Sequence, residues 1–235
     1  MRGGKNKTGY TITEVLIVLA ISSAMFITAN VFLSGRVAET NFRTGVNEMA
    51  SRMQDVIDQV NNGQYNDRPL TCSVVAGAVT TVQATNENQG KNTACIFVGK
   101  LFSFSPGGNQ YSLDILAGKK LSNDNATISE ISPTKVGSIS TKYNLPGGIK
   151  YISAKNSSGL ISSNSFGFIQ NPNSSALAGS TNIDSLWTYD GSGYSSENEV
   201  SICFVGSNSA KAIINVGLEK NTMIVNTDFI NTSSC

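Results

Sequence analysis

The chain has 235 residues, enough for a sizeable core, yet only 14% of them are charged and the formal net charge is +1. That balance argues against a strongly electrostatic partner such as nucleic acid. Histidine is absent, which removes the commonest general base and a frequent metal ligand.

Residues 1–9 are short, Gly-containing and basic, with Arg2, Lys5 and Lys7 and no acid. Beyond them 14 basic residues face 16 acidic ones, so a chain without this leader is slightly acidic. Residues 10–33 are dominated by Leu, Ile, Val, Phe and Ala, and no charge falls between Val15 and Leu33. A helix needs about 20 such residues to cross a bilayer, so the run is just long enough. It has no Ala-x-Ala-like end and passes into an amphipathic pattern, which predicts a retained anchor with its basic end cytoplasmic. One carboxylate, Glu14, sits inside the apolar zone. An ionisable group at such a depth is costly and marks a functional position whose partner has to be found.

Residues 34–62 continue the helix. Phe42, Val46, Met49, Met53, Val56 and Val60 recur at steps of three and four, with Arg43, Asn47, Glu48, Arg52, Asp55 and Asp58 between them. This predicts one apolar stripe that packs as core, ending at Asn61-Asn62-Gly63, where Gly suits a left-handed cap. A helix from Thr11 to Asn62 would be roughly 75 Å long.

Residues 63–235 read as a β-rich domain outside the membrane. Short β-branched and aromatic runs at 72–76, 79–84, 94–104, 111–116, 149–154, 166–170, 200–205, 211–216 and 222–226 predict strands. Gly206-Ser207-Asn208-Ser209 predicts a hairpin between two of them. The fold class is therefore α+β, with the long helix packed on one face of an antiparallel sheet and the other face wet. Residues 153–199, rich in Ser, Asn and Gly with Phe166, Phe168, Trp187, Tyr189 and Tyr194 among them, read as long surface loops around one or two strands. Their aromatics are either a recognition surface or satellite core.

Cys72, Cys95, Cys203 and Cys235 all follow the apolar run, and four cysteines allow three pairings. In an oxidising space the two sequence-local pairings, Cys72–Cys95 and Cys203–Cys235, are favoured, and four buried thiols are the alternative. No C-x-x-C occurs, which argues against zinc or thioredoxin-like chemistry.

Gly9-Tyr10-Thr11-Ile12-Thr13-Glu14, preceded by Lys5 and Lys7 and followed by the apolar run, resembles the type IV prepilin signature of pilins and pseudopilins. The resemblance places the last leader residue on Gly9, an aromatic first mature residue on Tyr10 and the fifth-position Glu on Glu14. It implies cleavage between Gly9 and Tyr10 by a prepilin peptidase/methyltransferase, N-methylation of Tyr10, and residence in the inner membrane before assembly into an extracellular or periplasmic filament. It further implies that Glu14 of an incoming subunit meets the Tyr10 amine of a neighbouring pilin or pseudopilin subunit, since buried opposite charges are tolerated when paired. A C-terminal disulfide, here Cys203–Cys235, is also frequent in the family. Where many pilins carry Gly and Pro inside the apolar segment, this chain has Ser23 and Val31. Ser22, Ser23, Thr28 and Asn30 are the polar residues there, and they read as candidates for hydrogen bonds across helices.

No enzyme signature is present: there is no His for a triad, no G-x-S-x-G and no phosphate-binding loop, and Gly191-Ser192-Gly193 lacks a third Gly. Glu197 and Glu199 read as solvated, and Asn123-Asp124-Asn125 lacks EF-hand spacing. Lys119-Lys120, Lys211 and Lys220 are too scattered for a nucleic-acid patch. The expected protein is a non-enzymatic filament subunit without cofactor or metal, a minor pilin or pseudopilin by its size and loops. The alternative is a tip-located adhesin or uptake module acting through residues 153–199.

Overall fold

The computed structural model describes residues 10–63, 71–75, 78–82, 95–119, 128–169, 185–189, 194–207, 209–219 and 222–230. One 50-residue helix, α1 (Ile12–Asn61), opens them, and Gly63 takes the left-handed conformation just beyond its end. The first half of α1 is exposed throughout, whereas Phe42, Val46, Met49, Met53, Val56 and Val60 are all buried, joined by Gly45 and Ile57. The three-four spacing thus marks the face that enters the core.

The strands follow in chain order. They are β1 (Thr71–Val75), β2 (Ala78–Val82), β3 (Cys95–Phe104), β4 (Gln110–Lys119) and, after the one-turn α2 (Ile128–Ile131), β5 (Thr134–Asn144). After a 3-10 turn at Pro146–Gly148 come β6 (Lys150–Asn156), β7 (Gly159–Leu160), β8 (Ser165–Ile169) and β9 (Ser185–Tyr189). The last are β10 (Tyr194–Glu197), β11 (Glu199–Val205), β12 (Lys211–Glu219) and β13 (Thr222–Ile230). They form a six-stranded sheet, β10-β9-β8-β3-β4-β5, a five-stranded sheet, β13-β12-β11-β6-β7, and the hairpin β1-β2. Every pairing is antiparallel. The protein is α+β, with one long N-terminal helix and antiparallel sheets.

Both large sheets contribute to one core against the α1 stripe. Phe102, Phe104, Phe166 and Phe168 come from the first sheet, and Ile202, Phe204, Ile214 and Val216 from the second. The Phe104 and Tyr151 rings stack across the two sheets with centroids 4.7 Å apart. Aromatic pairs of this kind add to the area they bury.

The outer face of the six-stranded sheet is not wet, as the sequence reading expected. Leu101, which alternates with Phe102, joins Val98, Leu116, Ile169 and Ile131 of α2 in a second cluster. Strand β8 is buried on both faces for this reason. A second difference concerns residues 153–199, which hold β7, β8, β9 and β10 and so are not loops around one or two strands. Strand β5 was likewise not anticipated; its residues alternate weakly, carry Gly and Lys, and lie at the sheet edge, where one side has no pairing partner to demand apolarity. The Gly206–Ser209 hairpin does join β11 to β12, closed by Gly206 N–H to Ala210 O at 2.8 Å.

Candidate functional site

The start of α1 is where the sequence reading places the function. Gly9 lies outside the described residues. Tyr10 is 88% exposed, and the helix begins two residues later. Thr11 is the N-cap: its Oγ1 accepts from Glu14 N–H at 3.4 Å, while its own N–H donates to Glu14 Oε2 at 2.9 Å. The Thr11 hydroxyl also donates to Glu14 Oε2 at 2.9 Å. This reciprocal capping box satisfies orphan helix N–H groups and holds the carboxylate at the helix N-terminus, where the macrodipole favours negative charge. The chain thus places Tyr10 beside the Thr11–Glu14 pair at one exposed helix end. The role of Thr11 escaped the sequence reading, although Thr11-Ile12-Thr13-Glu14 fits the capping-box pattern and would have disclosed it.

Beyond Glu14, α1 is long and apolar enough to cross a membrane, and no part of its most apolar 18-residue window is buried. Its polar side chains turn inward on their own helix. Ser23 donates to Leu19 O at 2.7 Å, Thr28 to Met25 O at 2.9 Å, and the Asn30 amide to Phe26 O at 2.9 Å. Three of the four donors read as candidates for links across helices, Ser23, Thr28 and Asn30, therefore have partners within the single chain. That arrangement makes them tolerable in lipid, and the helix is continuous through Ser23 and Val31.

No family model, curated protein or solved structure matches this chain. Its function is therefore argued from its own residues.

Cys203 is buried and disulfide-bonded, and none of the described cysteines is free. The side chains of Cys72 and Cys95, and Cys235 altogether, lie outside the described residues, as do Asn123-Asp124-Asn125 and Gly191-Ser192-Gly193. Glu197, expected to be solvated, instead accepts from Asn156 Nδ2 at 2.6 Å and from Ser157 Oγ at 3.2 Å. Among the described residues no three His, Cys, Asp or Glu side chains gather as a metal site.

One constellation resembles catalytic machinery at first sight. Lys135 Nζ lies 3.3 Å from Ser103 Oγ, which also receives the Ser165 hydroxyl at 3.0 Å. A Ser–Lys nucleophile requires a lysine free to take the proton. Here Asp114 lies 3.2 Å from the same ammonium and forms an ion pair with it. The arrangement is that of a paired cation donating to the Ser103 hydroxyl, which in turn accepts from Ser165.

Proposed function

We propose that the chain is a structural subunit of a type IV pilus-like or type II secretion-like filament, with the pilin architecture of a membrane helix running into a β domain. It is processed between Gly9 and Tyr10, N-methylated at Tyr10, and assembled through the first half of α1. The observation that carries this reading is the unburied apolar half of α1, rigidly continuous with the half that anchors the domain. An apolar helix of that kind requires lipid or other helices around it. Glu14 at its first turn then pairs with the Tyr10 amine of a neighbouring subunit, exchanging its contacts to Thr11 for an opposite charge.

N-terminal mass analysis of the native protein tests processing: N-methyl-Tyr10 is expected, and a mature chain beginning at Met1 would overturn it. Glu14→Ala is expected to insert and be cleaved but to fail in assembly; normal incorporation of that variant into filaments removes the role of Glu14. The rival reading, a tip-located binding module, loses part of its surface to the core. Phe166 and Phe168 are fully buried and Trp187 packs against the second cluster.

A further inference from the structure

Away from the membrane helix, a cleft of about 350 Å³ lies between the outer half of α1 and strands β3, β4 and β5. Its lining includes Arg52, Asp55, Gln59, Lys100, Tyr111 and Tyr143. Alternation along β3 sets Lys100 on the face of Phe102 and Phe104, where the sheet meets α1. Its cross-strand neighbours there are Ile115 and Phe168. The residue is only 4% exposed. Its ammonium donates to Gln59 Oε1, a neutral group. The ion pairs among the described residues are Arg43–Glu39, Arg52–Glu48 and Lys135–Asp114, so no carboxylate of the described residues lies within 4.0 Å of Lys100. A buried cation with only a neutral partner is expensive, and an anion is what offsets it.

The rest of the lining sets the charge and shape of that anion. Arg52 is matched by Glu48 at 2.6 Å and donates to the Tyr111 hydroxyl at 3.3 Å. Asp55 is exposed at the cleft and repels a second negative charge. Lys100 is thus the lining cation without an ion-pair partner among the described residues, and the Asp55 charge on the same cleft favours a monoanion over a dianion such as phosphate. The Tyr111 and Tyr143 rings stack on each other at 5.3 Å and, with Leu113 and Ile115, form an aromatic and aliphatic wall of the cleft. The cleft thus sets polar groups from α1 and β3 against an apolar side made by Val56, Leu113, Ile115 and the tyrosine rings, and polar groups converging beside apolar surface can orient a small ligand. Burial also lowers the Lys100 pKa, and perturbed groups in clefts are common at functional sites.

We propose that this cleft binds a small monocarboxylate with a flat apolar body, its carboxylate on Lys100 and its body against the Tyr111–Tyr143 wall. This does not depend on the filament reading. The test uses the full chain in nonionic detergent, with sodium benzoate as probe, benzamide as its neutral isostere and sodium phosphate as a dianion, at fixed ionic strength. Benzoate raises Tm saturably, and benzamide and phosphate do not. Lys100→Met keeps or raises the basal Tm and weakens benzoate binding about tenfold or more, the scale of a lost charged hydrogen bond. Tyr143→Ala, at the exposed edge, weakens benzoate binding relative to its own ligand-free Tm, and carries the test if Lys100→Met does not fold. No saturable shift in the native chain, or unchanged benzoate affinity in either folded variant, overturns the proposal.

Discussion

The junction between α1 and the domain rests on an approach so close that one methyl group tests it. A Cβ on Gly45 would lie 2.5 Å from Pro146 O and 3.0 Å from both Pro146 C and Gly147 Cα, all backbone atoms. The turn cannot retreat freely, because Leu145 N–H donates to Asn109 O at 2.7 Å and its flanking residues Leu145 and Ile149 are buried. Gly45→Ala gains about 1 kcal/mol of helix propensity. Overpacking a rigid contact costs about 1–3 kcal/mol, and a backbone obstacle puts this site at the upper end. The net loss is about 2 kcal/mol, which for a chain of this size lowers Tm by about 4–8 °C. Gly35→Ala is the matched control on the same helix, since nothing lies within 4 Å of its Cβ position. Thermal unfolding in detergent, followed by circular dichroism, should show a lower Tm for Gly45→Ala and none for Gly35→Ala. A Gly45→Ala protein as stable as the native one would refute the close-approach argument.

Further outcomes follow from three buried groups. Tyr151→Phe removes a hydroxyl that donates to Asn164 Oδ1 at 2.8 Å, and should cost about 1 kcal/mol in thermal unfolding. Burial raises the Tyr151 pKa above its ordinary 10.0, so native stability should fall as pH climbs from 10 towards the folded value, and that alkaline loss should be smaller in Tyr151→Phe. For Lys100 the sign is opposite. Burial lowers its pKa, so the folded state favours the neutral amine and the native protein gains stability as pH rises towards the ordinary 10.5. Any Tm advantage of Lys100→Met at neutral pH should therefore shrink over that range, and a constant gap would contradict it. Mass mapping without reductant should find Cys203 unalkylated and linked to the peptide bearing Cys235, a closure contributing about 3–4 kcal/mol; a link to Cys72 or Cys95 would remove that pairing.

The helix was legible because its two halves obey simple rules. An uninterrupted apolar run gives the exposed half, and a stripe spaced by three and four gives the half whose every named residue is buried. The strands of the second sheet were legible where both sides of a ladder are apolar, as in β11 and β12. What escaped was decided by neighbours distant in sequence. Strand β9 is five residues in a Ser- and Asn-rich stretch, and it exists because β8 offers its edge. Lys100 gave no local sign of burial, since its environment is assembled from α1, β4 and β8. Glu14 stood out as an ill-placed carboxylate, yet its partner Thr11 lay three residues away and was read only as part of a signature.

The capping box alters what Glu14 means for assembly. In the single chain the carboxylate accepts from both the backbone N–H and the hydroxyl of Thr11. On the proposed function, an acid in apolar surroundings is thus partly satisfied before any neighbour arrives, and assembly would exchange those contacts for an ammonium. Thr11→Val removes the hydroxyl donor and leaves the N–H donor in place. On the proposed function, the unassembled subunit should then accumulate less well in the membrane, because its carboxylate has lost one of two partners. The same substitution in a Glu14→Ala background should have no such effect, since there is no charge left to satisfy. Subunit levels in membranes, measured for the four members of this cycle in cells lacking the assembly motor, separate the coupling from a general loss of helix capping. Equal losses from Thr11→Val in both backgrounds would show that Thr11 serves the helix end and not the carboxylate.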